Sequence, residues 1–383
     1  MGILTLFKKA KNLNYLPLEE EKMSGTDKTR VAIIGCGGIA NGKHMPSLKR
    51  LKTVEMVGFC DIVLERAEKA KEQYGTPESK VYADYKQMLA ELKPDVVQVL
   101  TPNASHSYIT CDALEAGAHV MCEKPMAKTA AEARKMIETS KKTGKLLTIG
   151  YQNRFRADST QMKKVCERGD LGEIYFAKAH AIRRRGVPTW GVFLKEEEQG
   201  GGPLIDIGTH ALDLALWIMD NYEPAYAVGT AYKKFRNQTD TGNLFGDWNP
   251  DEFTVEDSAF GFVVMKNGAT IFIESSWALN TLDVAEGQTT LCGTLGGADM
   301  RDGLRINKVD LGRQTTIRPN LSAGGVAFYE GSSNKAEDIE AAVWIAAVRE
   351  GKELIVKPEQ ALVVTEILEA IYKSSESGNP VYF

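Results

Sequence analysis

The sequence predicts an α/β protein in two parts, a doubly wound parallel sheet followed by an α+β domain built mostly on antiparallel strands. Three observations carry this reading. Short apolar runs alternate with amphipathic stretches from Arg30 to Ile149, longer alternating segments replace them beyond Tyr151, and a glycine turn directly follows the first apolar run. At 383 residues the chain also exceeds what one hydrophobic core usually supports.

Residues 1–28 are charged and lack sustained periodicity, so they read as an extension outside the core. The runs Arg30 to Ile34, Val54 to Cys60, Asp95 to Leu100, Ala118 to Cys122 and Lys145 to Ile149 are almost continuously apolar, as parallel strands covered on both faces must be. Between them Val63 to Tyr74, Tyr85 to Leu92, Ser105 to Ala116 and Thr129 to Thr143 carry helical spacing. Gly117 and Gly144 fall where helices should stop, and Pro94 precedes a strand. Residues 29–150 therefore form the first domain and residues 151–383 the second. In the latter, Glu173 to Arg184, Pro224 to Phe235, Ser258 to Met265 and Ala269 to Trp277 alternate as strands, and Lys266-Asn267-Gly268 is a hairpin signal. Lys357 to Ser375 is a strongly periodic helix, expected to pack back towards the first domain.

Hydrophobic residues at 43% and charged residues at 26% exclude disorder and fibrous repeats. A net charge of -4 leaves no basic field for a nucleic acid or an anionic membrane. No stretch approaches the roughly 18 apolar residues of a membrane span, and Gly2 to Phe7 is too short for a secretory core. The six cysteines, Cys36, Cys60, Cys111, Cys122, Cys166 and Cys292, are irregularly spaced without a C-x-x-C pair, so reduced thiols in a cytoplasmic protein are expected.

Gly35-Cys36-Gly37-Gly38-Ile39-Ala40 matches G-x-G-x-x-A. The glycines permit a tight turn and let a pyrophosphate approach the backbone, while the next helix offers free N–H groups and a positive dipole. Asp61 follows at the end of the second strand, where a carboxylate accepts ribose hydroxyls and repels a 2′-phosphate, so NAD is expected over NADP. Arg66 is the nearest residue that would soften that preference, with a helix-surface role as its alternative. Glu123-Lys124-Pro125 ends the strand Ala118 to Cys122 on the carboxyl edge, where open α/β sheets bind ligands. A residue before proline is held extended, which aims the Lys124 ammonium; a plain surface turn is the alternative.

The stretch from Gly200 to Ile218 is the most informative. At about 100° per residue, Asp206, Thr209, His210, Asp213 and Trp217 fall within one arc of an otherwise apolar helix that Pro203 opens. Such a polar face on a buried helix lines a cavity or a hydrogen-bond network.

With these motifs, together with Thr101-Pro102-Asn103 and His106, the chain from Arg30 onward resembles the Gfo/Idh/MocA oxidoreductases. The resemblance implies that Lys124, Asp206 and His210 form the catalytic group. It further implies that Thr101, Pro102, Asn103 and Glu123 contact the nicotinamide half of the cofactor, with His106 and Lys124 also binding the cofactor. The second domain would be an open sheet used to form a homo-oligomer, a dimer or tetramer.

Removing hydride from a secondary alcohol becomes easier as its proton is withdrawn, so a base and a positive charge are needed at the oxygen. His210 is assigned as general acid/base, Lys124 as the group that orients and polarises the oxygen, and Asp206 as the carboxylate that anchors substrate or holds the imidazole. Lysine and histidine remain exchangeable in these roles. Tyr151, Arg154, Arg183, Arg184, Arg185 and Trp190 offer a wall of stacking faces and forked donors, with Arg154 and Trp190 foremost. The resemblance makes a sugar, glycoside or inositol the expected substrate. An NAD-requiring glycosidase that works by transient oxidation, and a sugar- or cofactor-sensing regulator, are the alternatives. No metal is expected, although Asp206, His210 and Asp213 have a spacing that would allow one.

Overall fold

Strands buried on both faces need apolar side chains throughout, and the first domain supplies them. The computed structural model describes residues 28–238, 240–321 and 335–383, so the predicted extension lies, apart from Lys28, outside the described residues. Strands β1 (Thr29–Ile34), β2 (Val54–Cys60), β3 (Lys80–Tyr82), β4 (Val96–Val99), β5 (His119–Cys122) and β6 (Leu147–Ile149) form a parallel sheet in the order β3-β2-β1-β4-β5-β6. Only the short edge strand β3 was not announced by the apolar pattern. The chain reverses direction across the sheet between β1 and β4, which opens a crevice at their carboxyl ends. Helices Leu64–Tyr74, Tyr85–Leu92, Asn103–Glu115 and Ala130–Thr143 make the crossovers. The last is started by a capping box between Thr129 and Glu132 and stopped by Gly144 at φ 67. The third starts two residues earlier than its spacing suggests, which brings its amino end directly behind Thr101-Pro102.

Nine strands build the second sheet: β7 (Ile174–Ile182), β8 (Pro224–Tyr232), β9 (Ser258–Met265), β10 (Thr270–Ser276), β11 (Ala285–Gly293), β12 (Gly296–Asp299), β13 (Arg305–Asp310), β14 (Arg313–Ile317) and β15 (Val381–Tyr382). Their order is β14-β13-β12-β11-β7-β10-β9-β8-β15, antiparallel throughout except where β7 meets β10. Helices Thr209–Met219 and Pro358–Ser377 cover one face. The other face is uncovered among the described residues and carries an aromatic ladder: Phe262 and Phe272 lie opposite each other with centroids 5.3 Å apart, and Phe176 stands 5.3 Å from Phe272.

Two helices from the carboxy-terminal part do not stay in the second domain. Helix Ala336–Glu350, which periodicity did not reveal, sets Ala341, Trp344, Ile345 and Ala347 into the core formed by Val31, Ile33, Met45 and Leu48. Helix Pro358–Ser377 lies on β8, and its Glu369 accepts the Ala130 N–H at 2.9 Å while Lys141 pairs with Glu359 at 3.0 Å. Both domains are thus locked by elements distant in sequence.

The glycine turn shows why two glycine positions differ. Gly35 has φ 93, and a Cβ there would lie 2.6 Å from the Leu100 carbonyl oxygen; a Cβ at Gly38 would meet nothing within 4 Å. Gly35→Ala is expected to destabilise the protein by at least about 1–3 kcal/mol, whereas Gly38→Ala stays within about 0.5 kcal/mol of wild type. Urea unfolding measures both, and equal losses would contradict this account.

Candidate active site

The crevice above β1 and β4 is lined first by the glycine turn. Gly37 and Gly38 leave open space where their side chains would be, at the start of a helical run that continues through Ala40–His44 and Met45–Lys49, and Ile39 is 43% exposed beside them. Asp61, at the end of β2, accepts the Cys36 N–H at 2.9 Å on one oxygen and the Val63 N–H at 2.8 Å on the other. Each oxygen keeps lone-pair capacity for a ribose hydroxyl. A backbone cradle, a helix amino end and a positioned carboxylate fit a dinucleotide. Arg66 stands on the exposed face of helix Leu64–Tyr74.

At the end of β5, Glu123 is buried and tied down by three donors. Its Oε1 accepts from Lys43 Nζ at 3.0 Å and from His44 Nε2 at 2.7 Å, and its Oε2 accepts the Lys124 N–H at 2.9 Å. The same Lys43 ammonium reaches Glu340 at 3.0 Å and Gln152 at 3.3 Å. Burial pushes the Glu123 carboxyl up, but Lys43, His44 and Lys124 overcome it and hold its pKa well below the usual carboxylate range. Burial, reinforced by Lys43, keeps His44 neutral, so its Nε2–H is the donor to Glu123. Glu123 thus holds Lys124 in place, and its Oε2, with one protein donor, keeps lone-pair capacity towards the expected nicotinamide contact. Lys43, His44, Gln152 and Glu340 were missed. Two adjacent basic residues on a helix facing the sheet were the available signal for the first pair.

Lys124, whose peptide bond to Pro125 is cis, crosses to the second domain. Its ammonium donates to the Asp206 carbonyl oxygen at 2.9 Å and to Asp206 Oδ1 at 3.0 Å, which leaves one N–H for a ligand. Trp277 Nε1–H donates to Asp206 Oδ2 at 3.1 Å. Burial raises the Asp206 pKa, yet Lys124 and Arg183 outweigh it and the group ends below its ordinary value. Asp206 therefore holds the lysine; no hydrogen bond joins it to His210. The reason is local geometry. Leu204–Gly208 is a π-turn and the α-helix begins at Thr209, so the simple i, i+4 relation does not apply.

His210 meets the edge of the Tyr151 ring at a centroid distance of 6.2 Å, and its Nδ1 is buried with no hydrogen-bond partner. Burial, with the Lys124 charge added, pushes its pKa down to about 3, while Glu123 and Asp206 act in the opposite direction. The imidazole is neutral at physiological pH and is surrounded by carboxylates that would steady it once protonated.

Burial corrects the expectations for Arg154, Tyr151 and His106. Arg154 is 0% exposed and forks onto Asp213, with Nε to Oδ2 at 2.9 Å and Nη2 to Oδ1 at 2.5 Å, while Nη1 donates to the Ile355 carbonyl and to Gln360. It cannot touch a substrate, and Asp213 cannot join Asp206 and His210 around a metal. Among the described residues no group of His, Cys, Asp and Glu is arranged to hold one. Tyr151 is buried behind His210 and shares a hydrogen bond with Thr209 at 2.9 Å, so it backs the imidazole and does not line a wall. His106 is buried too: its ring nitrogens lie 2.8 Å from the carbonyl oxygens of Pro125 and Thr101, tying two loops of the crevice together without facing it. Asn103 donates to the Gln199 carbonyl at 3.0 Å, a link to the second domain, and Pro102 precedes the helix as an exposed turn residue. Arg183 is committed to Glu286, and Arg185 lies over the Phe235 ring. Arg184 is exposed, and Trp190, 50% exposed, packs edge-on against Phe245 and Phe193.

The sequence signature described as "Oxidoreductase family, NAD-binding Rossmann fold" matches residues 29–151, and that of its "C-terminal alpha/beta domain" matches residues 163–383. The chain belongs to the Gfo/Idh/MocA oxidoreductase family. It is 37% identical over 352 residues to D-glucoside 3-dehydrogenase of Escherichia coli, an alignment spanning 92% of this chain and 97% of that protein. Inositol 2-dehydrogenase of Salmonella typhimurium is 28% identical over 192 residues, covering 50% of this chain and 54% of its own. Among solved structures, aldose-aldose oxidoreductase from Caulobacter crescentus complexed with glycerol superimposes with a TM-score of 0.75 at 25% identity, over 93% of this chain and 100% of that one. This Gfo/Idh/MocA member is thus an oxidoreductase with an NAD-binding Rossmann domain. Among the described residues no helix is long and apolar enough to cross a membrane.

The Arg154–Asp213 pair yields a direct test. Arg154→Ala leaves a buried carboxylate unpaired and should cost about 3–5 kcal/mol, whereas the double replacement Arg154→Met with Asp213→Leu should cost markedly less. Denaturant unfolding of both variants decides; an Arg154→Ala protein of wild-type stability would contradict the clamp.

Proposed function

We propose that this chain is an NAD-dependent dehydrogenase that oxidises a secondary hydroxyl of a sugar, glycoside or inositol to the keto form. The observation that carries the reading is an ammonium fixed by Asp206 with one N–H to spare, beside a neutral imidazole whose Nδ1 has no partner. The identity with D-glucoside 3-dehydrogenase supports a glycoside within that class.

The glycine turn and Asp61 would hold NAD, which would supply the hydride acceptor. Lys124 points its remaining N–H at the substrate oxygen and stabilises negative charge as it develops there. His210 takes the hydroxyl proton, because it is the neutral group of the two, while Lys124 stays paired to Asp206. Glu123 and Asp206 then lie close enough to favour the imidazolium. Glu123, anchored by Lys43 and His44, keeps the lysine backbone from moving. The exposed Trp190 face and Arg184 are the remaining candidates for contact with the sugar. The open face of the second sheet, with Val228, Phe262 and Phe272 exposed, supports a homo-oligomer. Six unpaired thiols suit a reducing, cytoplasmic setting.

NADH formation across a panel of alkyl glucosides, free sugars and inositols tests the reading. Lys124→Ala and His210→Ala should each lower kcat by at least about a hundredfold with NAD affinity kept; near-wild-type turnover in both would refute it. Removing the 2′-phosphate repulsion in Asp61→Ala should cut the NAD over NADP preference at least about tenfold, read as a ratio of kcat/KM. Phe262→Glu combined with Phe272→Glu should give a monomer by light scattering; an unchanged assembly would reject that face.

A further inference from the structure

One buried carboxylate outside the crevice holds the helix that carries half of the site. Glu256, 3% exposed and just ahead of β9, accepts the Gly202 N–H on Oε2 at 2.7 Å and the Leu204 N–H on Oε1 at 3.2 Å. Pro203 between them has no N–H, so this side chain takes both donors that open the run towards Asp206 and His210. Tyr372 of helix Pro358–Ser377 donates its hydroxyl to Oε1 at 2.8 Å. The fit leaves no room for side chains: a Cβ at Gly201 would lie 2.2 Å from the Tyr372 oxygen, and one at Gly202 would lie 2.1 Å from the Glu256 carbonyl oxygen. The glycine triplet before Pro203 thus lets a remote carboxylate reach the helix start. The turn is closed by the Asp206 N–H donating to the Gly202 carbonyl at 2.9 Å and by Ser275 Oγ donating to the Pro203 carbonyl at 2.6 Å.

We propose that Glu256 and Tyr372 are a positioning pair: they fix the amino end of the Asp206/His210 helix and make turnover depend on the charge of a carboxyl that never meets the substrate. The kinetic half of this rests on the dehydrogenase reading; the structural half does not. No cation pairs with Glu256 among the described residues. Tyr372 is the titratable group that faces it, and Glu196 is the next charge acting on that tyrosine. Burial pushes the Glu256 carboxyl up to about 7, against the hydrogen bonds from Gly202, Tyr372 and Leu204. His210 is neutral far below that, so a near-neutral step in activity is not its own titration. The ionised carboxylate accepts the N–H groups more strongly and suits the positive end of the helix, so kcat rises as the pH passes about 7. Stability moves oppositely. The folded pKa lies above the unfolded one, so the contribution of the protonated form is complete below about 4.5 and is lost as pH rises through about 7. Glu340 is also pushed up to about 7, by burial, and is the rival source of such a step.

The test measures kcat and KM against pH for the full chain, alongside nitrogen-edited NMR of its five imidazoles, with His210 assigned by His210→Asn. Wild type should show a step near neutrality in kcat and in the His210 resonance. Glu256→Gln should lose the step in both and lower kcat about tenfold to a hundredfold, with the KM for NAD unchanged. Tyr372→Phe removes a bond that holds the carboxyl down and should move the step to higher pH, which carries the test if Glu256→Gln does not fold. A step that persists in Glu256→Gln, stays put in Tyr372→Phe, or disappears in Glu340→Gln overturns the proposal. If wild type oxidises no carbohydrate, the dehydrogenase reading fails, and the His210 resonance alone decides the positioning role.

Discussion

The ion pair between Lys124 and Asp206 is the contact on which the site depends. It joins the end of a strand in one domain to the first turn of a helix in the other, and does so with two hydrogen bonds to the same residue. An ammonium bound in this way is a fixed cation with a defined direction, whereas an unpaired lysine would sample many rotamers. Because the partner is a carboxylate and a carbonyl together, both the side chain and the backbone of the helix are registered against the first sheet. The crevice is a product of that registration.

Burying such a pair is costly unless every remaining polar atom is satisfied. A second layer of charge supports it: Glu123 under the lysine backbone, Lys43 and His44 against Glu123, and Glu340 beyond Lys43. The layer draws on the helix after the glycine turn, the strand carrying the lysine, and a helix near the carboxyl terminus. A change at the dinucleotide turn is therefore mechanically linked to the lysine. Loss of water, with the Lys124 ammonium beside it, leaves His210 neutral, while Glu123 and Asp206 pull the other way. An uncharged imidazole thus stands beside the amine that Asp206 holds.

The polar residues of the run from Asp206 to Trp217 share one face in sequence but divide in space. Asp206 pairs with Lys124, His210 packs edge-on against Tyr151, Thr209 bonds the Tyr151 hydroxyl, and Asp213 disappears into a clamp with Arg154 that also grips Ile355 and Gln360. The π-turn at the start of the helix makes this division, because it adds a residue to the turn and rotates the Asp206 end of the run relative to the α-helix that begins at Thr209.

Local signals were enough for much of this. A strand covered on both faces must be apolar along its length, and a pyrophosphate turn must be glycine, so the parallel sheet, its crossovers, the glycine turn with Asp61, and the motif residues Lys124, Asp206 and His210 could all be picked out along the chain. The strands from Ala285 to Ile317 and the helix Ala336–Glu350 could not, because β11 buries Gly287 and Thr289, β13 and β14 are largely exposed, and the helix divides its apolar residues between two cores. Which polar side chains face the crevice was likewise decided only by packing. Arg154 and Tyr151 have the chemistry of sugar ligands, yet burial gave them to the interior, while Lys43, Glu340 and Glu256 reach the site through contacts with residues far away in the chain. Periodicity reports which face of an element is buried; it carries no information about which distant element lies against that face.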